Sequence, residues 1–342
     1  MLKRGAYDAP GEEVQPGVPG VLPPLQAEGR ASRLDLARWI VSRDNPLTAR
    51  VAVNRYWQQL FGVGLVKTVD DFGSQGERPI QPELLDWLAV EFMDSGWDVK
   101  GIMKTMVMSQ AYRQDFHGSP ELLQRDPENR LIARGPRFRL PAEMIRDQAL
   151  AAAGLLNAEM GGPPVKPYQP PGIWEELSGT AYEQSSGDEL YRRSLYTYWK
   201  RTVAPPSMTT FDASDRESCT VNRARTNTPL QALTLMNDPT YVEAARELAE
   251  RMISEGGATP AARIDYGFRR VLARHPRAAE AETLRLALAD LAGDYQDDRQ
   301  AAKALLEVGD SPRDERFDPR ELAAYAAVAS LILNLDETVT KQ

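Results

Sequence analysis

Helix-start signals recur along this chain, and each is followed by apolar residues spaced three and four apart. Asn45-Pro46, Thr228-Pro229 and Asp238-Pro239 each place a capping side chain before a proline that suits the first helical turn. Apolar residues at that spacing form one face of an α-helix. The sequence therefore predicts a mainly α fold, with two helical lobes and a small β element.

The N-terminal part of the chain is predicted to be an arm followed by a helical lobe. Residues 1–30 are rich in proline and glycine, which favours an extended arm over a helix. Residues 31–160 form the N-terminal helical lobe. Its helix-start residues, in chain order, are Arg33, Asn45, Pro82, Asp98 and Pro141. We expect Trp57, Trp87 and Phe92 to fill the core of this lobe.

A proline-rich segment separates this lobe from a second one. Residues 161–202 begin with prolines and end with aromatic residues in near alternation, which predicts a loop and then a short strand over residues 194–202. Residues 203–342 form the C-terminal helical lobe. Its most apolar stretch, residues 322–333, is shorter than the ~20 residues that span a bilayer. We expect a buried core helix there and no membrane span.

Composition narrows the partners and cofactors of the chain. A net charge of −8 repels a phosphate backbone, so no nucleic-acid partner is predicted. Two histidines and one cysteine point away from a zinc site, and we expect neither a metal nor a cofactor in this chain. The sequence contains no Cys-x-x-Cys-His motif. A haem is therefore expected only on a partner or an upstream domain.

Three acidic residues are the candidate catalytic groups: Asp212, Asp215 and Glu217. Paired carboxylates can act as acid and base in glycoside hydrolysis, or they can bind calcium. Their spacing matches no complete calcium loop. The alternative is a solvated turn in which they pair with an arginine such as Arg216 or Arg223.

Arginine and aromatic residues supply the candidate binding site. Its residues are Arg192, Arg193, Tyr198, Trp199, Arg216, Arg223 and Arg225. Because arginine binds carboxylate or sulfate groups through two parallel hydrogen bonds, one prediction is a groove for an anionic polysaccharide. A second arginine group consists of Arg130, Arg134, Arg137 and Arg139. The alternative for both groups is internal pairing with the chain's many carboxylates.

Other short features are predicted to be structural. Asp71-Phe72-Gly73 resembles the magnesium motif of kinases, but the glycine-rich loop, strand lysine and catalytic loop of a kinase are missing. We expect a loop there with Phe72 packed inward. His117 and His275 are expected at the surface or at a helix end. Cys219 is expected to be a buried or unreactive thiol.

Motifs in a fixed order carry a family resemblance. They lie at residues 45–50, 54–57, 61–66, 70–73, 82–88, 112–114, 126–130, 192–196, 227–233 and 334–338. Among them, Asn54-Arg55-Tyr56-Trp57 and Thr228-Pro229-Leu230-Gln231 are easily recognised. The chain resembles the planctomycete-specific C-terminal domain of unknown function, the "PSD-one" module of cytochrome-bearing surface proteins. The resemblance covers almost the whole chain from Arg4 onward.

The resemblance implies an extracytoplasmic location and a cytochrome c-type domain as an upstream or separate partner. The first residues lack the pattern of a signal peptide, which suggests a fragment or a split gene product. Gln81 stands where many members have a histidine. The leading hypothesis is a non-enzymatic structural or interaction module of an exported, cytochrome-associated surface protein. The alternative is a protein that binds or hydrolyses acidic or sulfated polysaccharides.

Overall fold

Helices make up most of the regular structure. The computed structural model describes residues 3–341. Its helices are α1 (Arg33–Ile40), α2 (Thr48–Phe61), α3 (Pro82–Asp94), α4 (Val99–Met108), α5 (Pro120–Arg125), α6 (Ala142–Ala153), α7 (Ile173–Ser178), α8 (Pro206–Thr210), α9 (Pro229–Asn237), α10 (Pro239–Glu255), α11 (Pro260–Leu272), α12 (Ala278–Asp297), α13 (Arg299–Leu306), α14 (Pro319–Leu333) and α15 (Asp336–Val339). One antiparallel sheet pairs β1 (Phe138–Arg139) with β2 (Thr340–Lys341). The predicted mainly α fold with a small β element is confirmed.

The chain divides into two compact units, one up to Arg137 and the other from Phe138 onward. The first unit contains α1 to α5, and the second contains α6 to α15 with the sheet. The helix predicted to start near Pro141, α6, packs against α10 in the second unit. Residues 3–30 are mostly irregular, and Trp39 Nε1 in α1 donates to the Pro23 carbonyl oxygen at 2.7 Å.

The capping residues begin helices largely as predicted. Asp98 accepts a hydrogen bond from Gly101 N at 3.0 Å and starts α4. Thr228 forms the predicted capping box at the start of α9, and Asp238 caps α10. Asn45 Oδ1 accepts from the amides of Leu47 and Thr48, so α2 begins two residues later than the Asn45-Pro46 pair indicates.

Helices α2, α3 and α4 enclose the core of the first unit. Trp57 and Phe61 stack within α2 with ring centroids 3.9 Å apart, and Phe92 of α3 is also buried. The prediction for Trp87 was wrong, because its side chain is 52% exposed. Trp87 lies two positions after Leu85, which places it on the opposite side of α3 from the buried face.

A buried asparagine joins α2 to the segment that follows it. Asn54 is fully buried, and its side chain donates to Val66 O and accepts from Val66 N, both at 2.9 Å. Gly64 lies directly beneath this pair. A Cβ atom there would lie 2.8 Å from Asn54 Nδ2 and 2.5 Å from Val66 O. The motifs at residues 54–57 and 61–66 therefore form one structural unit.

The core of the second unit centres on α10 and α14, which pack against each other and against α6, α11, α12 and α13. The stretch at residues 322–333 lies inside α14, and most of its side chains are buried. The predicted core helix is therefore confirmed. Within residues 3–341, none of the helices has the length and apolar character needed to cross a bilayer.

A carboxylate lies at the centre of the second unit. Glu243 in α10 is fully buried, and its Oε1 accepts from Tyr191 OH at 2.9 Å and from Ser311 N at 2.6 Å. Burial and the neighbouring Glu243 carboxylate raise the pKa of the Tyr191 phenol. Glu243 thereby fixes two separate loop segments to α10.

The strand predicted over residues 194–202 was wrong. A 3-10 turn spans Ser194–Tyr196, and single bridges follow from Thr197 to Val165 and from Lys200 to Val203. Prolines flank Val165 at positions 164 and 167, and proline has no N–H to donate to a longer ladder. The small β element lies instead at Phe138–Arg139 and Thr340–Lys341.

Candidate functional site

Arg192, the first predicted binding residue, is used inside the second unit. Its side chain is buried and donates to the carbonyl oxygens of Pro163, Glu159 and Gly161. Its guanidinium carbon also lies 4.0 Å from the centre of the Tyr196 ring. Arg192 therefore fixes the loop at residues 159–163 and offers little surface to a ligand.

The neighbouring arginine has a similar but more exposed role. Arg193 Nη2 donates to the carbonyl oxygen of Ala158 at 3.3 Å. Both arginines thus bind backbone carbonyls of the segment that follows α6, and neither pairs with a carboxylate of residues 3–341. This arrangement differs from both sequence-based alternatives, because the arginine partners are peptide groups.

The remaining predicted arginines also have partners within the second unit. Arg216 lies over the Trp199 ring at 4.4 Å, and Arg225 lies over the Phe138 ring at the same distance. Arg223 Nη1 binds the Glu143 carboxylate at 2.9 Å. Partial desolvation of its guanidinium lowers the pKa of Arg225, although the residue as a whole is exposed. All three arginines are nevertheless exposed, so part of each side chain faces solvent.

The three candidate catalytic carboxylates each bind a different group. Asp212 accepts from the amide and hydroxyl of Thr226, at 2.7 and 2.9 Å. Asp215 Oδ1 accepts from the amide of Glu217 at 3.0 Å. Glu217 pairs with Arg201 at 3.1 Å. These contacts organise an exposed loop, in which the arginine partner is Arg201 and not Arg216 or Arg223.

The loop that carries these carboxylates has two residues in left-handed backbone conformations, Asp212 with φ +61° and Arg216 with φ +63°. Aspartate tolerates this conformation better than most residues, since its short side chain bonds locally. Trp199 Nε1 donates to the Asp215 carbonyl oxygen at 3.0 Å and holds the loop from one side. The predicted aromatic residue thus orders the predicted acidic segment.

The second arginine group is also bonded within its own units. In the first unit, Arg130 Nη1 lies 3.3 Å from Glu77, and Arg134 donates to the carbonyl oxygens of Asp126 and Pro127 at 2.9 Å. Arg137 lies 5.9 Å from the Phe116 ring centre. In the second unit, Arg139 Nη2 donates to Asn227 Oδ1 at 2.7 Å.

A cluster of lysine and aromatic side chains was missed by sequence reasoning. It consists of Trp174, Tyr182, Tyr198, Lys166 and Lys200, and we name it the aromatic–lysine cluster. Lys166 Nζ lies 5.5 to 6.0 Å from all three ring centres, and Lys200 Nζ lies 4.4 Å from Trp174. Tyr198 is 40% exposed. Of the five members, which all lie within residues 161–202, only Tyr198 was among the predicted binding residues.

An exposed apolar stripe on α9 was also missed. Leu230, Leu233 and Met236 follow one another at spacings of three, and their exposures are 59%, 53% and 49%. We name this stripe the α9 face. Gln231 and Leu235 are the buried residues of the same helix. The spacing of the three apolar residues could have revealed this stripe from the sequence.

Phe72 and the two histidines lie where the sequence predicts them. Asp71 Oδ1 accepts from Gly73 N at 2.7 Å, and Phe72 packs against the core of the first unit. His117 and His275 are exposed and contact Asp115 and Asp265, each at 2.6 Å. Cys219 is an exposed free thiol, so the buried alternative predicted for it was wrong. Within residues 3–341, no group of three His, Cys, Asp or Glu side chains is arranged to hold a metal ion.

A groove of about 700 Å³ lies between α11, α12 and α14 in the second unit. Leu288, Ala292 and Ala324 supply its apolar floor, and Arg285 and Arg320 lie on its rim. None of the predicted site residues lines this groove. It therefore gives no support to a site built from residues 192–225.

The fold and these contacts define a helical module of two units whose arginines and carboxylates are mostly bonded within each unit. The family model PSD1, described as a protein of unknown function (DUF1553), matches residues 32–288. The chain belongs to the PSD1 family, which confirms the resemblance carried by its ordered motifs. No curated protein and no solved structure matches the chain.

Proposed function

We propose that this chain is a non-enzymatic interaction module of an exported, cytochrome-associated surface protein, and that it binds its partner through the α9 face. The exposed apolar stripe of α9 carries this proposal. Clustered exposed apolar side chains on a folded protein typically mark interaction sites. Asp212, Asp215 and Glu217 each bind a different group within the second unit, which supports a role other than acid–base catalysis.

The α9 face is presented on a rigid support. Thr228 and Gln231 form a capping box, and Gln231 Nε2 also donates to the Thr210 carbonyl oxygen at 3.0 Å. Asn334 Nδ2 donates to the Ala232 carbonyl oxygen at 3.4 Å. Because hydrogen bonds to two other segments already hold α9 in place, the helix loses little conformational freedom on binding, which favours affinity.

The partner that we propose is the cytochrome c-type domain implied by the resemblance. A haem edge and the residues around it offer an apolar surface that complements leucine and methionine side chains. Methionine adapts to irregular apolar surfaces, which suits Met236 at the end of the stripe. The net charge of −8 would favour a partner with a basic surface.

Binding of a purified family cytochrome domain, measured by calorimetry, tests this proposal. We expect Leu233→Ser to weaken binding about tenfold or more, since central apolar contacts dominate interface energies. Leu286→Ser is the matched control, because Leu286 is a similarly exposed helix leucine (49%) on α12 of the same unit. Absence of binding by the unmodified chain, or equal effects of both substitutions, would contradict the proposal.

A second candidate function, binding of an acidic or sulfated polysaccharide, is favoured by the aromatic–lysine cluster and by the Arg216–Trp199 pair. Both place cations and aromatic rings near the surface. Tyr198→Ala and Arg216→Ala are the informative variants, whereas Arg192→Ala would remove a buried side chain that fixes a loop. Retained binding to sulfated glycans in both variants, or no binding by the unmodified chain, would count against this candidate.

A further inference from the structure

The groove between α11, α12 and α14, which we name the α12 groove, matches the α9 face in length. Its volume is about 700 Å³, and along α12 its lining runs from Arg285 to Gln296. At the rise of an α-helix these two residues are about 16 Å apart along the axis. The stripe of the α9 face, from Leu230 to Met236, spans about 9 Å by the same rise. The α12 groove is therefore long enough to hold the whole stripe.

Short side chains leave the α12 groove open to a helix. Its apolar lining consists of one proline, one leucine and several alanines: Pro260, Leu288, Ala261, Ala289, Ala292 and Ala324. Alanine side chains let two helix axes approach to about 8 Å, the short end of the usual range. The leucine and methionine side chains of the α9 face would then fill the space that the alanines leave.

The charged residues that line the α12 groove already have partners within the second unit. The ion pairs are Arg285–Glu282 at 2.7 Å, Arg320–Asp318 at 2.9 Å and Arg263–Glu321 at 2.7 Å. A charged occupant would have to compete with these pairs, whereas an uncharged helix would leave them intact. Helix α9, Pro229–Asn237, contains no charged residue. The electrostatic match therefore favours an apolar, uncharged helix such as α9.

Helix α14 separates the α12 groove from the α9 face of the same chain. Arg320 and Ala324, near the start of α14, line the groove. Asn334, the C-cap of α14, donates instead to the Ala232 carbonyl oxygen of α9. The 15 residues of α14 span about 22 Å. Because α9 also packs against α10, it cannot reach the groove of its own chain, and an α9 helix in the groove has to come from another copy.

We propose that the α9 face of one copy docks in the α12 groove of a second copy, so that the chain associates head to tail. This inference rests on the proposed function, because it uses the same α9 face as an interaction surface. The two contacting surfaces differ, so the interface is heterologous and can continue from copy to copy. Self-association covers the α9 face, which makes it mutually exclusive with binding of the proposed partner.

Sedimentation velocity of the unmodified chain tests the association. One helix face in one groove is a smaller contact than a standard protein interface, so we expect a dissociation constant of about 10–100 μM. The average mass should rise above that of the monomer as the concentration increases from about 1 to 300 μM. A chain that stays monomeric over this whole range would overturn the proposal.

Two variants each remove one half of the contact. Ala289→Arg fills the α12 groove, and Leu233→Ser removes the centre of the α9 face. Both positions are exposed, so both variants should keep the fold. Each variant alone should stay monomeric. An equimolar mixture should form a dimer and no larger species, because one variant retains the α9 face and the other retains the groove.

Ala279→Arg is the matched control, because Ala279 is exposed on α12 but does not line the groove. It should associate like the unmodified chain, and loss of association in this control would overturn the proposal. Pairing of two α9 faces around a two-fold axis would survive Ala289→Arg, and that result would overturn the proposal as well. So would a mixture of the two monomeric variants that forms no dimer.

Binding of the cytochrome domain is measured separately from self-association. Ala289→Arg leaves the α9 face intact, so it should bind the proposed partner at least as well as the unmodified chain does. If neither chain bound the cytochrome domain while the mixed variants formed their dimer, the proposed function would be contradicted and head-to-tail association would stand.

Discussion

Replacement of Asn54 by alanine is expected to destabilise the first unit by about 3–4 kcal/mol. The Asn54 side chain is the partner of both the N–H and the carbonyl of Val66, at 2.9 Å each, and Val66 is 3% exposed. Each buried backbone group left unpaired costs ~1–3 kcal/mol, and the lost side-chain volume adds a cavity. Gly64 packs so closely against this pair that the backbone has little room to collapse.

Replacement of Asn54 by aspartate tests the donated hydrogen bond separately from the accepted one. The carboxylate still accepts from Val66 N but cannot donate to Val66 O, so its pKa in the folded chain should be raised. With a raised pKa, the cost of ionising the buried carboxylate is absent below the unfolded pKa of about 3.9. That cost then grows as the pH rises from the unfolded pKa to the folded pKa. The stability difference from the unmodified chain should therefore narrow as the pH falls from 7 towards 4.

Hydrogen exchange followed by mass spectrometry is the suitable assay, because peptides from α2 and α3 report on the first unit separately from the second. Gln59→Ala is the matched control, since it removes an exposed amide from the same helix and should change stability by less than about 0.5 kcal/mol. A loss below 1 kcal/mol for Asn54→Ala would refute the reasoning. If Asn54→Asp lowered the free energy of unfolding equally at pH 4 and pH 7, the argument from the raised aspartate pKa would be refuted.

Three further substitutions test other parts of the structure. Arg274 holds the pKa of Glu280 down at about 2, so Glu280→Gln should lower stability by about 1–2 kcal/mol at pH 7. That loss should fade as acid protonates Glu280 between pH 5 and pH 2, as measured by urea unfolding; a constant difference would contradict it. Gly309→Ala should lower the melting temperature by several degrees, because its Cβ would lie 2.4 Å from the Glu243 carboxyl and φ is +93°. A melting temperature equal to that of the unmodified chain would show that this loop yields. Trp87→Ala should change the free energy of unfolding by less than about 0.5 kcal/mol, and a loss of 3 kcal/mol would show that Trp87 is buried in solution.

Local signals predicted the helices well, because a cap and its helix lie within a few residues of each other. The Thr228 capping box and the Asp98 cap are examples in which side chain and backbone partner are three residues apart. The strand at residues 194–202 failed for a related reason. Aromatic alternation describes one segment, whereas a ladder depends on the donors of the partner segment, here interrupted by prolines at 164 and 167.

The partners of the candidate site residues could not be predicted in the same way. Arg192 binds carbonyls about 30 residues away, and Arg223 binds Glu143 across 80 residues. A charge count suggests ion pairs, but nothing in composition distinguishes a carboxylate partner from a peptide carbonyl. The arginine-rich pattern therefore identified residues with definite roles in the fold, and their surface chemistry required the three-dimensional arrangement.

The motif at residues 227–233 shows how one short sequence can serve fold and binding together. Thr228 and Gln231 close the capping box and fix α9, and Gln231 is 1% exposed. Leu230 lies between these two residues in the sequence and Leu233 follows them, but both leucines are more than half exposed. The capping box explains why Thr228 and Gln231 are present, but no packing contact explains the two exposed leucines. Since Thr228 and Gln231 need no leucine beside them to cap the helix, the α9 face is the part of this motif to which we assign the proposed interaction.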